Sequence, residues 1–439
     1  VSKCYRVHVA VTATATVDEL TVGNKSASTK EARPMYPGRW STENAETPAV
    51  IMAGSRAQLT YAELEDKANR LAHLFRAQGL RKGDHVAFFM ENSLELVVAF
   101  CAAERTGLYY TPIDAKFSVE EVSFIVNDCA AKVVVTSNRM AEVAHRLTKV
   151  CPAVERWLMT GAEGFAAVPY EDFDGAISLH ESDAVNDEQL GAAMFYSSGT
   201  TGRPKGVWRP ISDVEPGGML PAVRFAQELY RVTEGCTFLV PGPLHHAMGL
   251  MPVGTTLRCG GTVVVMERFD AAQLAELVDD LEVTHVIMVP TMASRLVKLP
   301  AEVRAEHRMR SLRALTMSGA PCPPAVKQEL IEWAGPIVHD IYGGSEGAGL
   351  CVSTSEDALS RPGTVGRAMV GELVIRRDDG SECDPAEIGQ VWFRGGTPFA
   401  YFGDAEKTAG AHDESGELAT MGDIGYVDND GYLFLTDRV

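Results

Sequence analysis

Short apolar runs alternate with stretches whose apolar residues recur every three or four positions, and this alternation constrains the fold more than any other feature. Thr60 with Glu63 forms a capping box, and Leu64, Ala68, Leu71 and Phe75 follow at helical spacing until Gly79. His85–Met90 then reads as a strand, Leu94–Ala103 as a helix with a buried face, and Leu108–Tyr110, after Gly107, as the start of the next strand. Ser118 with Glu121 opens another helix that stops near Asn127–Asp128, and Lys132–Thr136 is again strand-like. The pattern returns later, with strands at Thr237–Val240, Gly261–Met266 and Thr284–Pro290 and a helix over Asp270–Leu281. Such alternation predicts an α/β fold with largely parallel sheets. Two α/β halves facing each other leave a cleft between them, where such sheets bind ligands.

From about Pro362 glycines become frequent, and Glu372–Arg376 and Gly389–Phe393 read as short strands between turns, without a long helix. The expected organisation is an N-terminal extension over 1–34, two α/β subdomains over about 35–361, and a small β-rich subdomain over about 362–439. The extension has no clear periodicity, and no function is assigned to it.

A chain of 439 residues is too long for one core. The formal net charge of −19 argues against a nucleic-acid partner, so an anionic substrate must be held by a local site. Nine cysteines, an odd number with no Cys-x-x-Cys pair, fit free thiols in a reducing cytoplasm. No apolar run is long enough for a transmembrane segment. Peripheral membrane association stays open for a lipid substrate, as does a homodimer.

The run from Tyr196 to Val207 follows the apolar Ala192–Phe195, which reads as the end of a buried strand. It packs two serines, two threonines, three glycines and Lys205 into one tight loop. Glycines let the backbone approach an anion, and successive N–H groups with hydroxyls can wrap a polyphosphate. The spacing is not that of the common nucleotide loop, Gly-x-x-x-x-Gly-Lys-Ser/Thr. It closely resembles the signature loop of the adenylate-forming superfamily: acyl-CoA synthetases, peptide-synthetase adenylation domains and luciferases.

Further motifs follow in the family's order. Pro243–Leu250 is similar to the Pro-Leu-aromatic-His-x-x-Gly segment beside the carboxylate site, with His246 as the match and His245 where an aromatic residue is usual. There is no aspartate where amino-acid-activating members carry one, which counts against amino-acid activation. Gly319, Ala320 and Pro321 resemble the turn that flanks the adenine. Ile341–Gly347 resembles Tyr-Gly-x-Thr-Glu, with Tyr342 at the adenine, Ser345 at the α-phosphate and Glu346 at Mg²⁺, and Gly343 also at the nucleotide. Asp423 matches the aspartate that bonds the ribose hydroxyls, with Met421 in place of the usual threonine, and Arg438 matches the residue before the hinge.

The resemblance implies that ATP, Mg²⁺ and a carboxylic acid give an acyl-adenylate and pyrophosphate, and that coenzyme A then takes the acyl group. It implies Lys205, Glu346, His246 and Thr200 as the catalytic set, with Thr200 and Glu346 at the metal. Ser197, Ser198, Gly199, Thr200, Thr201, Gly202 and Lys205 would bind the nucleotide phosphates. His246, Gly249, Gly343 and Gly344 are expected at the substrate, the glycines leaving room for a large tail. That points to a fatty or other large apolar acid. An aryl acid, transfer to a carrier protein, and a non-catalytic binding module are the alternatives. The family's small C-terminal domain lies beyond the hinge, where this sequence stops. The chain as given is therefore expected to bind ATP and acid but turn over poorly.

Overall fold

A computed structural model describes residues 36–162, 170–197 and 203–438. Among these residues the strands form four sheets, and residues from 35 onward make one compact unit. From edge to edge, the nine-stranded sheet begins with Arg367–Val370, Leu350–Ser353, Val338–Gly343, Ala314–Ser318 and His285–Met288. It continues through Thr237–Val240, Thr262–Val265, Pro48–Met52 and Gln58–Thr60. Every pairing from Val338–Gly343 to Pro48–Met52 is parallel, and the flanking pairings are antiparallel. The six-stranded sheet is parallel throughout, in the order Glu171–Asp172, Arg156–Thr160, Val133–Ser137, His85–Phe89, Tyr109–Ile113, Ala192–Ala193.

Local sequence explains the helices that cover these sheets. Thr60 accepts from the Glu63 N–H at 3.2 Å while the Glu63 carboxylate accepts from the Thr60 N–H at 2.8 Å, so two orphan donors of the first turn are satisfied. The helix Tyr61–Ala77 then buries Leu64, Ala68, Leu71 and Phe75. It shares one core with helices Leu94–Arg105 and Ala247–Arg258, which draws on both large sheets. Within His85–Phe89, Val86 and Phe88 face that core while Ala87 and Phe89 face a second one, the two-residue period of a strand buried on both faces.

One strand departs from the sequence expectation. Ala192–Phe195 is not the end of a single strand: Ala192–Ala193 closes the six-stranded sheet, and Phe195–Ser197 joins a separate three-stranded sheet with Lys205–Trp208 and Ala400–Tyr401. The fully buried Met194 is the pivot between them. The last sheet is antiparallel, made of Glu372–Arg376, Gly389–Arg394, Leu418–Val427 and Leu433–Arg438. Eight described cysteines are free thiols, seven of them buried, which makes them poor nucleophiles. No described helix is long and apolar enough to cross a membrane.

Candidate active site

Strands Thr237–Val240, Ala314–Ser318 and Val338–Gly343 run parallel, so their carboxyl ends leave the nine-stranded sheet along one edge. The histidine pair, the Gly319 turn and the Ser345–Glu346 turn follow those three ends. Ligands bind outside the carboxyl ends of strands in such sheets, and the remaining candidates gather there through side-chain contacts.

Ser197 and Lys205, which flank the signature loop, are paired across two antiparallel strands. Ser198, Gly199, Thr200, Thr201 and Gly202 lie outside the described residues. Val207, buried two residues beyond Lys205, packs in a cluster with Tyr342, Tyr401 and Ala348. Alternation along the strand turns Lys205 to the same side, and its Nζ lies 5.0 Å from the Tyr401 ring centroid. The Tyr401 hydroxyl donates in turn to Glu346 Oε1 at 3.0 Å.

The turn carrying Ser345 and Glu346 joins the antiparallel strands Val338–Gly343 and Leu350–Ser353. Arg209 donates to the Ser345 carbonyl. A Cβ at Gly344 would come within 2.7 Å of Met421 Sδ and 2.6 Å of Glu346 Oε2, so no larger residue fits without displacing them. Met421, at the position where the family resemblance has threonine, thus lies against this turn. The Tyr342 hydroxyl donates to Asp423 Oδ2 at 2.7 Å. Asp423 is paired with Arg438 in the next strand; the Arg438 side chain lies outside the described residues.

His246 is the residue before helix Ala247–Arg258. Its ring lies 4.2 Å, centroid to centroid, from that of His245, whose Nε2 is 3.5 Å from Asp114 Oδ2. Burial pushes His245 down to about 4, aided by His246 and opposed by Asp114. His246 presents more surface to solvent, but crowding by protein also lowers its pKa, with Asp114 opposing. A histidine held neutral can take part in hydrogen bonds to an acid without adding a fixed charge.

Gly319 has φ of +86°, and a Cβ there would lie 3.6 Å from both Met248 Sδ and Val289 Cγ1, so the turn rests against the start of the His246 helix. Ser318 donates to the Ile341 carbonyl at 3.0 Å, tying the turn's base to the strand that carries Tyr342. Ala320 and Pro321 continue this turn. Next to it, burial pushes the Cys322 thiol up to about 11, so it is protonated at neutral pH. Gly249 reads differently from the expectation of substrate room: a Cβ there would meet the Pro243 carbonyl oxygen at 2.2 Å. The absent side chain permits a close approach of helix to loop. Gly343 is less confined, a Cβ meeting Gly349 O at 3.3 Å.

Sequence reasoning missed Tyr401 and Arg209. The available signal for Arg209 was a second cation four residues after Lys205; nothing local marks Tyr401.

Residues 38–400 match the family model described as AMP-binding enzyme. The chain is 29% identical over 404 residues to a 2-succinylbenzoate–CoA ligase of Bacillus licheniformis, covering 91% of this chain and 79% of that protein. It is 30% identical over 409 residues to a long-chain-fatty-acid–CoA ligase of Mycobacterium tuberculosis, covering 91% and 77%. The inhibitor-bound N-terminal domain of FACL13 from Mycobacterium tuberculosis superposes with a TM-score of 0.76 at 26% identity, covering 93% of this chain and all of that one. The chain belongs to the AMP-binding enzyme family.

Proposed function

We propose that this chain is the nucleotide- and acid-binding body of an AMP-forming acid–CoA ligase acting on a large apolar carboxylic acid. The observation that carries the reading is the contact chain Lys205–Tyr401–Glu346, which joins the strand after the signature loop to the turn at the end of the Tyr342 strand. Relatives that are CoA ligases support the reaction class. Met248 and Ile341, apolar and partly buried beside the Gly319 turn, support an apolar acyl tail.

In this reading a carboxylate oxygen attacks the α-phosphorus of ATP, the bond to the bridging oxygen breaks, and pyrophosphate leaves with that electron pair. The thiol sulfur of coenzyme A then attacks the acyl carbon, AMP departs, and the thiol proton is released. The protein's task is to bring two anions together in line and absorb the charge that develops. Lys205 neutralises phosphate oxygens, and the Ser345 hydroxyl faces the α-phosphate. Tyr342 presents a flat face to adenine, and Asp423 accepts from the ribose hydroxyls. Neutral His246 borders the acid.

Glu346 fits Mg²⁺ binding: one carboxylate, oriented by Tyr401, with no cluster of three acidic, histidine or cysteine groups among the described residues. Mg²⁺ is commonly held in this way, by one or two carboxylates with substrate phosphates and water. When bound, the ion would neutralise phosphate oxygens. Thr200 is the second proposed contact.

Single-turnover incubation with Mg-ATP and a panel of acids, read by mass spectrometry for acyl-AMP, tests the proposal. Acyl-AMP from long or bulky apolar acids is expected. No acyl-AMP from any acid, or acyl-AMP from short polar acids only, would overturn it.

A further inference from the structure

We infer that Arg209 is a second cationic ligand for a phosphate of the nucleotide, working beside Lys205; this rests on the adenylate reading above. Lys205 and Val207 share the strand face that looks toward Tyr342 and Tyr401. Arg209 lies one residue past the strand's end and reaches the same side, donating to the Ser345 carbonyl. Its guanidinium is close enough to the turn that a Cβ at Gly347 would lie 2.7 Å from Nη2. Four residues of extended chain span about 13 Å, so the two cations approach the Ser345–Glu346 turn from separate points.

Arg209 is also fixed at its main chain. Its carbonyl accepts from the Tyr109 hydroxyl at 2.8 Å, which anchors it to the six-stranded sheet while its side chain reaches the turn at the end of the nine-stranded one. Such double anchoring suits a group that must meet a charge without rearranging.

The charge balance points to an anion. Among the described residues no carboxylate lies within ion-pair distance of this guanidinium, although the chain carries 59 acids against 40 bases. Enclosure by protein disfavours its charge, and Glu346 only partly offsets that. A desolvated cation without a close counter-ion is costly to retain. A phosphate matches the planar guanidinium, and one bond to Ser345 leaves most of its five N–H donors for other partners. Ser345 itself is the proposed α-phosphate contact, so an anion there lies beside Arg209.

Calorimetric titration with AMP and with adenosine separates a phosphate ligand from a structural residue. Arg209→Gln should weaken AMP about tenfold or more, as loss of a charge-assisted hydrogen bond implies, and leave adenosine affinity unchanged. Arg209→Lys, which keeps the charge but not the fork, should recover part of the AMP affinity. If Arg209→Gln does not fold, as judged by thermal melting, Arg209→Lys carries the comparison, with loss for AMP alone expected. Equal losses for both ligands, or no loss for AMP, would overturn the proposal. Wild-type protein that binds neither would overturn the adenylate reading and this proposal with it, whereas retained adenosine binding isolates a failure to Arg209.

Discussion

The phenol of Tyr342 and the carboxylate of Asp423 are joined by a 2.7 Å hydrogen bond between strands of two different sheets. The ring proposed to face adenine and the acid proposed to hold the ribose therefore orient one another. Asp423→Ala should weaken ATP by about tenfold or more, the cost of losing hydrogen bonds to a charged group. Tyr342→Phe keeps the ring and drops the bond, and should cost about threefold to tenfold. In an Asp423→Ala background the Tyr342→Phe effect should shrink, because the two act together. Titration calorimetry on the four proteins reads this cycle; purely additive losses would contradict the coupling.

Gly249 separates two uses of a glycine. With a Cβ at 2.2 Å from the Pro243 carbonyl, Gly249→Ala must displace the helix that begins after His246. The expected outcome is a loss of about 1–3 kcal/mol in unfolding free energy, measured by urea titration, without a new preference among acyl chain lengths. A variant of wild-type stability that rejects long acyl groups would instead make Gly249 part of the acyl wall.

His85 gives the protein a defined acid sensitivity. It stacks on Tyr109 at 4.8 Å, its Nδ1 is enclosed without a hydrogen-bond partner, and burial pushes its pKa down to about 4 against the opposing pull of Asp84. An unfolded histidine titrates near 6.5. Between those values the unfolded chain takes up a proton that the folded one refuses, so stability is complete above about 6.5 and falls as pH drops toward 4. His85 alone should cost on the order of 2 kcal/mol between pH 7 and pH 5. His85→Phe keeps an aromatic ring beside Tyr109 and should show a smaller difference in urea midpoint between those two pH values. An unchanged difference would remove His85 from the acid response.

Where information was contiguous, the sequence was readable. The capping boxes at Thr60 and Ser118 and the apolar periods behind them appear as helices Tyr61–Ala77 and Val119–Asp128, because caps and amphipathic faces are local properties. The strings around Lys205 and Tyr342 are contiguous too, and they lie within the residues that match the AMP-binding enzyme family. Contacts made by tertiary folding were not legible. Tyr401 lies 55 residues from Glu346, and no local pattern anticipates their bond. Ala192–Phe195 is apolar whether it forms one strand or two, since hydrophobicity does not encode a change of sheet at Met194. Gly249 looked like open space because a glycine in sequence does not reveal what fills the volume beside it.

The most direct test of the central claim, a composite adenylate site on this chain, is thermal denaturation with a non-hydrolysable long-chain acyl-adenylate analogue. A ligand that binds only the folded state at about 100 times its Kd adds roughly 2.7 kcal/mol. A clear rise in Tm is expected for the wild-type chain, larger for long apolar acyl groups than for acetyl, and a much smaller rise for Asp423→Ala. No rise with any acyl analogue, nor with Mg-ATP, would contradict the claim.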